Sequence, residues 1–308
     1  MTVIISGANG YIGKAFLARI REISQRKITA LVRSDNAKTE LASEFEGLDI
    51  RVVDYSDPKC VDSALSDDAH LFHLVGTIRE TRRFSFRTIH EDLCNTILNA
   101  PTKLSKITSL SVVGASLQSN NPCLRSRANA DQIFDSSGVS TAIVRIPMVL
   151  GGDGHASKAL RKNIRKRFVF SFRASSLEQP IFLDDVIDLL CETLKDGSPE
   201  GVFNLGGPAS LTRRELIKIA GRSEGMNPIL ISLPLLFGYL LSWLLEKFQD
   251  KPAISRATLG VLDHDDDVDN SYTLRAFGLS LTSLRVMLSK VLREPIPQSK
   301  SDSTSSAS

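Results

Sequence analysis

A turn of three glycines within the first thirteen residues constrains this chain more than any other feature. Gly7, Gly10 and Gly13 stand at GxxGxxG spacing in the stretch GANGYIG. Before them, Thr2 to Ser6 is a short apolar, β-branched run, the pattern of a buried parallel strand. After them, Ile12, Phe16, Leu17, Ile20 and Ile23 recur at helical intervals. Strand, glycine turn and helix in that order form the setting in which such a triplet binds the pyrophosphate of a dinucleotide. Gly7 would make the tight turn, Gly10 admit the phosphates to the backbone, and Gly13 let helix and strand pack closely. The helix N-terminus adds unpaired N–H groups and the positive end of its dipole. Asn9, Tyr11 and Ile12 complete the expected cofactor loop, in which Tyr11 stacks or packs.

Size and composition narrow the remaining classes. A chain of 308 residues, 42% hydrophobic, fits one large α/β unit or a major domain with a smaller lobe. A formal charge of +3, dispersed along the chain, gives no footprint for nucleic acid. Cys60, Cys94, Cys123 and Cys191 show no paired metal-type spacing, so no metal site is expected and a reducing, cytoplasmic setting is. The first strand is predicted from Thr2, so no signal peptide is expected. The longest apolar run, Ile229–Leu245, contains Pro234 and is too short and interrupted to span a bilayer.

Further strands are predicted at Ile28–Val32, Asp49–Val53, His70–Val75, Ile107–Val113 and Thr141–Pro147. Helical patterns fall between them, among them Phe86–Ala100 and a helix from Cys123 through Phe134. This alternation predicts an α/β fold with a doubly wound parallel sheet. Arg33 follows the second strand, where an NAD site carries an acid for the ribose hydroxyls. A guanidinium there can pair with a 2′-phosphate, so NADP(H) is expected in preference to NAD(H), which the turn would also accept. Asp54 is placed to accept a hydrogen bond from the adenine amino group. Asp57-Pro58 should cap and open the next helix. Val75 and Gly76 close the fourth strand, where a small residue permits the cofactor ribose to pass, and His73 is expected to be packed rather than liganding. Arg79–Arg87 reads as a basic loop or frayed helix over the site.

At this point the chain resembles an extended or atypical short-chain dehydrogenase/reductase. The motifs are GANGYIG at 7–13, LVRS at 31–34, HLVG at 73–76 and RIPMVLG at 145–151. QPIFLDDV at 179–186 and FNLGGPASLTRREL at 203–216 extend the likeness to about Arg293. SVVGASL at 111–117 with LRSRANADQIF at 124–134 resembles the branch of the Rossmann-fold accessory subunit of respiratory complex I and its bacterial relatives.

The resemblance implies a catalytic Ser with a Tyr-x-x-x-Lys pair on one helix face, the tyrosine passing a proton and the lysine holding the nicotinamide ribose. Here that pair aligns on Cys123 and Arg127, with Ser111, or Ser109, near the serine position and the usual asparagine replaced near Ile89. Cysteine lacks a phenol's reach, and arginine keeps ribose contact but cannot relay a proton. Three readings follow. The first is a cofactor-binding protein whose nucleotide is structural or regulatory. The second is a reductase or nucleotide-sugar epimerase or dehydratase drawing its proton from Ser111, His155 or the substrate. In the third, Cys123 is a thiolate activated by Arg127. A non-catalytic accessory or assembly subunit of a membrane complex is the alternative outside enzymes.

In the C-terminal third, strands are predicted at Gln179–Leu183 and Val202–Leu205. Asp184-Asp185 should cap a helix at Val186–Lys195, and Thr212 with Glu215 should form a capping box on Thr212–Arg222. Ile229–Phe248 reads as a helix buried under a substrate lobe. The sharper alternative is a surface helix touching a membrane or partner, or covering a pocket for a lipophilic quinone or isoprenoid, with only Lys247 and Lys251 near its end. His264 to Asp267 reads as a solvated turn, and a last helix as Phe277–Leu292. Residues 1–150 are thus expected to form the nucleotide-binding core and 151–293 a lobe that completes the fold, with 294–308 a disordered tail. The expected partner is a small-molecule substrate or none, with no nucleic acid.

Overall fold

The computed structural model describes residues 2–81, 84–248, 259–260 and 264–293, with only the backbone of 244 and 246–248. Seven strands form one parallel sheet: β1 (Val3–Ser6), β2 (Ile28–Val32), β3 (Asp49–Val52), β4 (His70–His73), β5 (Lys106–Val112), β6 (Ser140–Ile146) and β11 (Gly201–Asn204). Their spatial order is β11-β6-β5-β4-β1-β2-β3. The chain winds outward from β1 in one direction through β2 and β3, then crosses back to β4 and continues the other way. The reversal between β1 and β4 opens a crevice beyond their carboxyl ends, where open α/β sheets bind ligands.

The strands are buried on both faces because helices cover both. On one face lie α1 (Tyr11–Ile23), α2 (Asp35–Glu44) and α7 (Leu183–Thr193), which bury Phe16, Leu17, Ile20, Leu41, Val186 and Leu190. On the other lie α3 (Pro58–Ala64), α4 (Leu93–Leu98) and α5 (Pro122–Asp135), which bury Val61, Cys94, Ile97 and Phe134. A π-helical turn, Thr88–Asp92, leads into α4. Asp57 caps α3, accepting from the Lys59 amide at 2.9 Å with Pro58 in the first turn, as the sequence predicts.

A third core belongs to the elements beyond β6. Here α6 (His155–Ile164), α8 (Arg213–Ser223) and α11 (Leu284–Arg293) bury Leu160, Ile164, Leu216, Ile217, Met287 and Val291. Three two-stranded ribbons join them: β7 (Val149–Leu150) with β10 (Ile181–Phe182), β9 (Leu177–Glu178) with β12 (Leu211–Thr212), and β8 (Phe168–Phe172) with β13 (Ile229–Leu233). Helices α9 (Leu235–Phe248) and α10 (Ser271–Phe277) complete the described elements. The Thr212–Glu215 capping box is present on α8.

Four expectations need correction. The strand at Gln179–Leu183 shortens to β10, because Leu183 already begins α7. Asp184 and Asp185 do not cap that helix: Phe182 is its N-cap, and Asp185 instead accepts from the Thr282 amide at 3.0 Å and hydroxyl at 2.7 Å. The stretch from Ile229 is not one buried helix. Its first five residues pair as β13, and α9 leaves Leu236, Phe237, Leu240, Leu241 and Trp243 exposed. The last helix begins at Leu284, with Phe277 ending α10. The tail 294–308 and Lys251 lie outside the described residues, as does the side chain of Lys247.

Candidate functional site

The glycine turn sits at the mouth of the crevice. Gly7 has φ +76°, a left-handed conformation, and a Cβ there would lie 2.9 Å from the Leu74 carbonyl carbon. Gly13 sits so close under the turn that a Cβ would lie 2.3 Å from the Gly7 carbonyl oxygen. Gly10 differs: a Cβ would approach only that oxygen, at 3.0 Å, and otherwise point into open space. Gly10 is also the N-cap of α1, and no side chain caps it. The first N–H groups of a helix have no intrahelical partner, and here no carboxylate occupies the first turn. The cradle therefore fits a pyrophosphate: close backbone approach, a helix N-terminus and no competing acid. Tyr11 closes its far side, donating its hydroxyl to the Gly151 carbonyl while its ring packs against Gly154. Asn9 and Ile12 lie in the same turn and first helical residues.

Arg33 is exposed at the carboxyl end of β2, with its guanidinium 5.6 Å from the centre of the Phe84 ring. Next to it Ser34 caps α2 through the Ala37 amide. Asp54, beyond β3, is exposed, and its carboxylate accepts from the Ser56 amide at 2.9 Å and hydroxyl at 2.6 Å. Arg33 and Asp54 thus stand on one side of the crevice, at the ends of adjacent strands.

On the other side, Arg127 reaches from α5 across the end of β4. Its Nη1 donates to the carbonyls of Val75 at 3.1 Å and Leu110 at 3.4 Å. Nη2 lies 1.3 Å from where a Cβ of Gly76 would stand, so the space that the sequence reading left for a ribose over Gly76 holds a guanidinium. Arg127 Nε is buried with no hydrogen-bond partner. One turn earlier, Cys123 is 1% exposed and points its thiol at the Thr77 carbonyl, 3.5 Å away. Burial pushes that thiol up to about 11, against the pull of Arg127. Cys123 is therefore a protonated, packed thiol at neutral pH, which removes the activated-thiolate reading. Ser111 and Ser109 are both buried in β5, Ser111 near the Asp131 carboxyl.

Beneath Val75–Thr77 runs a buried polar chain. Ser6 Oγ hydrogen-bonds His73 Nδ1 at 2.9 Å, the Cys94 thiol donates to the His90 carbonyl at 2.8 Å, and the Thr77 amide donates to His90 Nε2 at 3.3 Å. His73 and His90 are held down to about 3, by burial first and by the Arg127 charge second, so both are neutral. His73 is packed, as the sequence reading expects, and among the described residues no group of three or more His, Cys, Asp or Glu could hold a metal.

One residue at the site escapes sequence reasoning. His264 packs its ring on Gly114, the left-handed glycine beyond β5, where a Cβ would stand 2.6 Å from Nε2. Its Nδ1 lies 3.2 Å from Asp266 Oδ1, and this hydrogen bond holds the imidazole above its ordinary value. The segment is no solvated turn. Asp265 pairs with Arg173 at 2.6 Å and accepts from the Leu177 amide, while Ser210 donates to the Asp266 carbonyl. The His-x-Asp spacing is visible in the sequence, but its meeting with Gly114, 150 residues away, is not. His155 opens α6, next to Gly154 and the Tyr11 ring.

The fold has known counterparts. A nucleoside-diphosphate-sugar epimerase from Staphylococcus aureus superposes with TM-score 0.73, covering 96% of this chain and 100% of its own, at 15% identity. The triphenylmethane reductase of Citrobacter sp., solved with NADP(H), gives 0.73 over 95% of this chain and 100% of its own, also at 15% identity. UDP-glucuronic acid 4-epimerase from Bacillus cereus, solved with UDP-glucuronic acid and NAD, gives 0.68 over 95% and 98%, at 14% identity. The chain shares their fold. It is a Rossmann-like α/β fold, the doubly wound sheet that the sequence predicts. No family model matches the chain, and no curated protein matches its sequence.

Proposed function

We propose that this chain binds NADP(H) across the β1–β4 crevice, as an oxidoreductase-type protein in which positions 123 and 127 serve the fold rather than proton transfer. The glycine cradle carries the reading: only Gly10 faces open space, and it does so at an uncapped helix N-terminus. The solved structures of like fold that hold NADP(H) and NAD support it. Such a nucleotide supplies hydride. Gly7, Gly10 and the first N–H groups of α1 would hold the pyrophosphate, Arg33 the 2′-phosphate and Asp54 the adenine amino group. Arg33 decides the preference for NADP(H) over NAD(H), since a charge-assisted bond to phosphate contributes about 1.5–3 kcal/mol. Arg33→Ala should therefore weaken NADPH about 10- to 100-fold and leave NADH unchanged, read by fluorescence titration of both nucleotides. Equal affinities in the wild type would remove the argument.

With a buried protonated thiol at 123 and a guanidinium spent on two carbonyls at 127, these two positions hold no tyrosine–lysine relay. General acid–base help of this kind is worth about 10²- to 10⁴-fold, so ordinary ketones and nucleotide sugars should turn over slower by that factor. The cofactor then acts mainly on structure or regulation, the role an accessory subunit of a membrane complex would also give it. A second reading rests on His264, whose hydrogen bond to Asp266 favours the protonated ring beside Gly114, where it could serve as a proton donor. His264→Gln separates the two. Under the first reading the residual NADPH oxidation is unchanged; under the second it falls about 100-fold or more.

A further inference from the structure

The ribbon of β8 and β13 has one face that is entirely apolar. The strands are parallel and in register, Phe168 beside Ile229, Phe170 beside Ile231 and Phe172 beside Leu233, so all six side chains project from one side. Val169 and Leu230, on the opposite side, are buried in the lobe core. The outer face is open: Phe170 is 64% exposed, and Phe168, Ile229 and Ile231 are exposed with it.

After Pro234, α9 prolongs the same face. Gly238 lets the helix lie against the Phe172 ring, where a Cβ would stand 3.0 Å away. Between ribbon and helix runs a groove of about 540 Å³ lined by Phe172, Leu233, Phe237, Leu240, Leu241 and Trp243. Leu236 is 78% and Leu240 62% exposed. A continuous apolar surface of strand face and helix marks an interaction site rather than scattered surface residues.

Charge identifies the occupant. The chain carries no Asp or Glu from Gly154 to Leu177. Lys162, Arg165, Lys166 and Arg167, at the end of α6 and the start of β8, are all exposed, and none pairs with a carboxylate among the described residues. Arg167 stacks on Phe168 at 5.4 Å, and its carbonyl accepts from the Ile229 amide, which fixes the basic segment at one end of the apolar face. The basic rim that α9 lacks in its own sequence is thus supplied by a segment some seventy residues earlier. No helix among the described residues is long and apolar enough to cross a membrane. A second copy of this chain would bring the same cations to a contact that already holds four.

We infer that this face docks on the anionic leaflet of a lipid bilayer, with the Phe168–Phe172 ribbon and α9 inserted at the headgroup boundary and Lys162–Arg167 on the headgroups. Interfacial elements combine an apolar face with flanking cations in this way. Trp243, the chain's one tryptophan, stands in the groove as a native reporter.

The test is flotation of the full chain with phosphatidylcholine vesicles with or without phosphatidylglycerol. With anionic vesicles the protein should float, Trp243 emission should shift to the blue, and brominated acyl chains should quench it. Replacing both Lys166 and Arg167 by Gln should weaken binding about 30-fold, since each cation near such a surface contributes about 1 kcal/mol. Phe170→Ser with Leu240→Ser should weaken it further at unchanged circular dichroism, because both side chains are exposed. Absence of flotation with the anionic vesicles overturns the inference. So does binding that ignores both the anionic lipid and the two cations. Self-association that Leu240→Asp abolishes, in a protein that ignores vesicles, would assign the face to a protein contact instead.

Discussion

Lowering the pH from 7 to 5 should destabilise this protein by on the order of 5 kcal/mol, a large share of the 5–15 kcal/mol that holds a typical domain folded. The cause is three buried histidines, His70, His73 and His90, each held down to about 3, chiefly by burial. In the unfolded chain each titrates near its ordinary value of about 6.5. Between those values the unfolded state binds more protons than the folded one, so stability falls as the pH falls through this window. His264 works the other way. Its folded value is raised by Asp266, so its contribution is present at low pH and is lost as the pH rises through that raised value. Three protons outweigh one. Urea midpoints at pH 7, 6 and 5 check the slope, and His70→Gln, which keeps a donor near Thr108, should remove about a third of it. A midpoint that does not move between pH 7 and 5 would show that the three rings are not buried neutral.

Gly10→Val and Gly13→Val should fail in opposite ways. At Gly13 the new Cβ would meet the Gly7 and Ala8 carbonyl oxygens at 2.3 and 2.8 Å, and both are backbone atoms of the turn. Helix and strand must separate, at a cost of about 3 kcal/mol or more by the measure of overpacked cores. At Gly10 only the Gly7 oxygen stands near, at 3.0 Å, so the fold and its melting temperature should persist. What is lost is the approach of phosphate to backbone N–H groups. A charge-assisted bond contributes up to about 3 kcal/mol, so NADPH binding should weaken about 100-fold or more. Thermal melts and nucleotide titrations of the two variants separate the effects. A folded Gly10→Val protein that binds NADPH like the wild type would refute the proposed phosphate site.

The sheet was legible because its strands are covered on both faces. Ile28–Val32 and Thr141–Pro147 read as mostly apolar runs between helical patterns; the first is β2 as predicted, and the second moves by one residue at each end to β6. The glycine turn was legible because the strand before it and the helix after it are adjacent in sequence. Ile229–Leu233 misled because a strand with one face in the core and an equally apolar face outside has no alternation to mark it. Asp185 looked like a cap because its partner, Thr282, lies 97 residues away. His264 and the Lys162–Arg167 rim share that difficulty. Each acquires meaning only from residues that the topology, not the local pattern, brings beside it.

The arginine lying across Gly76 imposes an order on how this chain can change. With Nη2 where a Cβ would be, no residue but glycine fits at 76 while Arg127 keeps its place. Residues in such contact do not vary independently, and their combined effect is not the sum of the single ones. A shorter side chain at 127 has to come first before a side chain at 76 is accepted; the other order drives the guanidinium from the Val75 and Leu110 carbonyls. The two positions are 51 residues apart, yet a substitution at either one is conditional on the residue at the other.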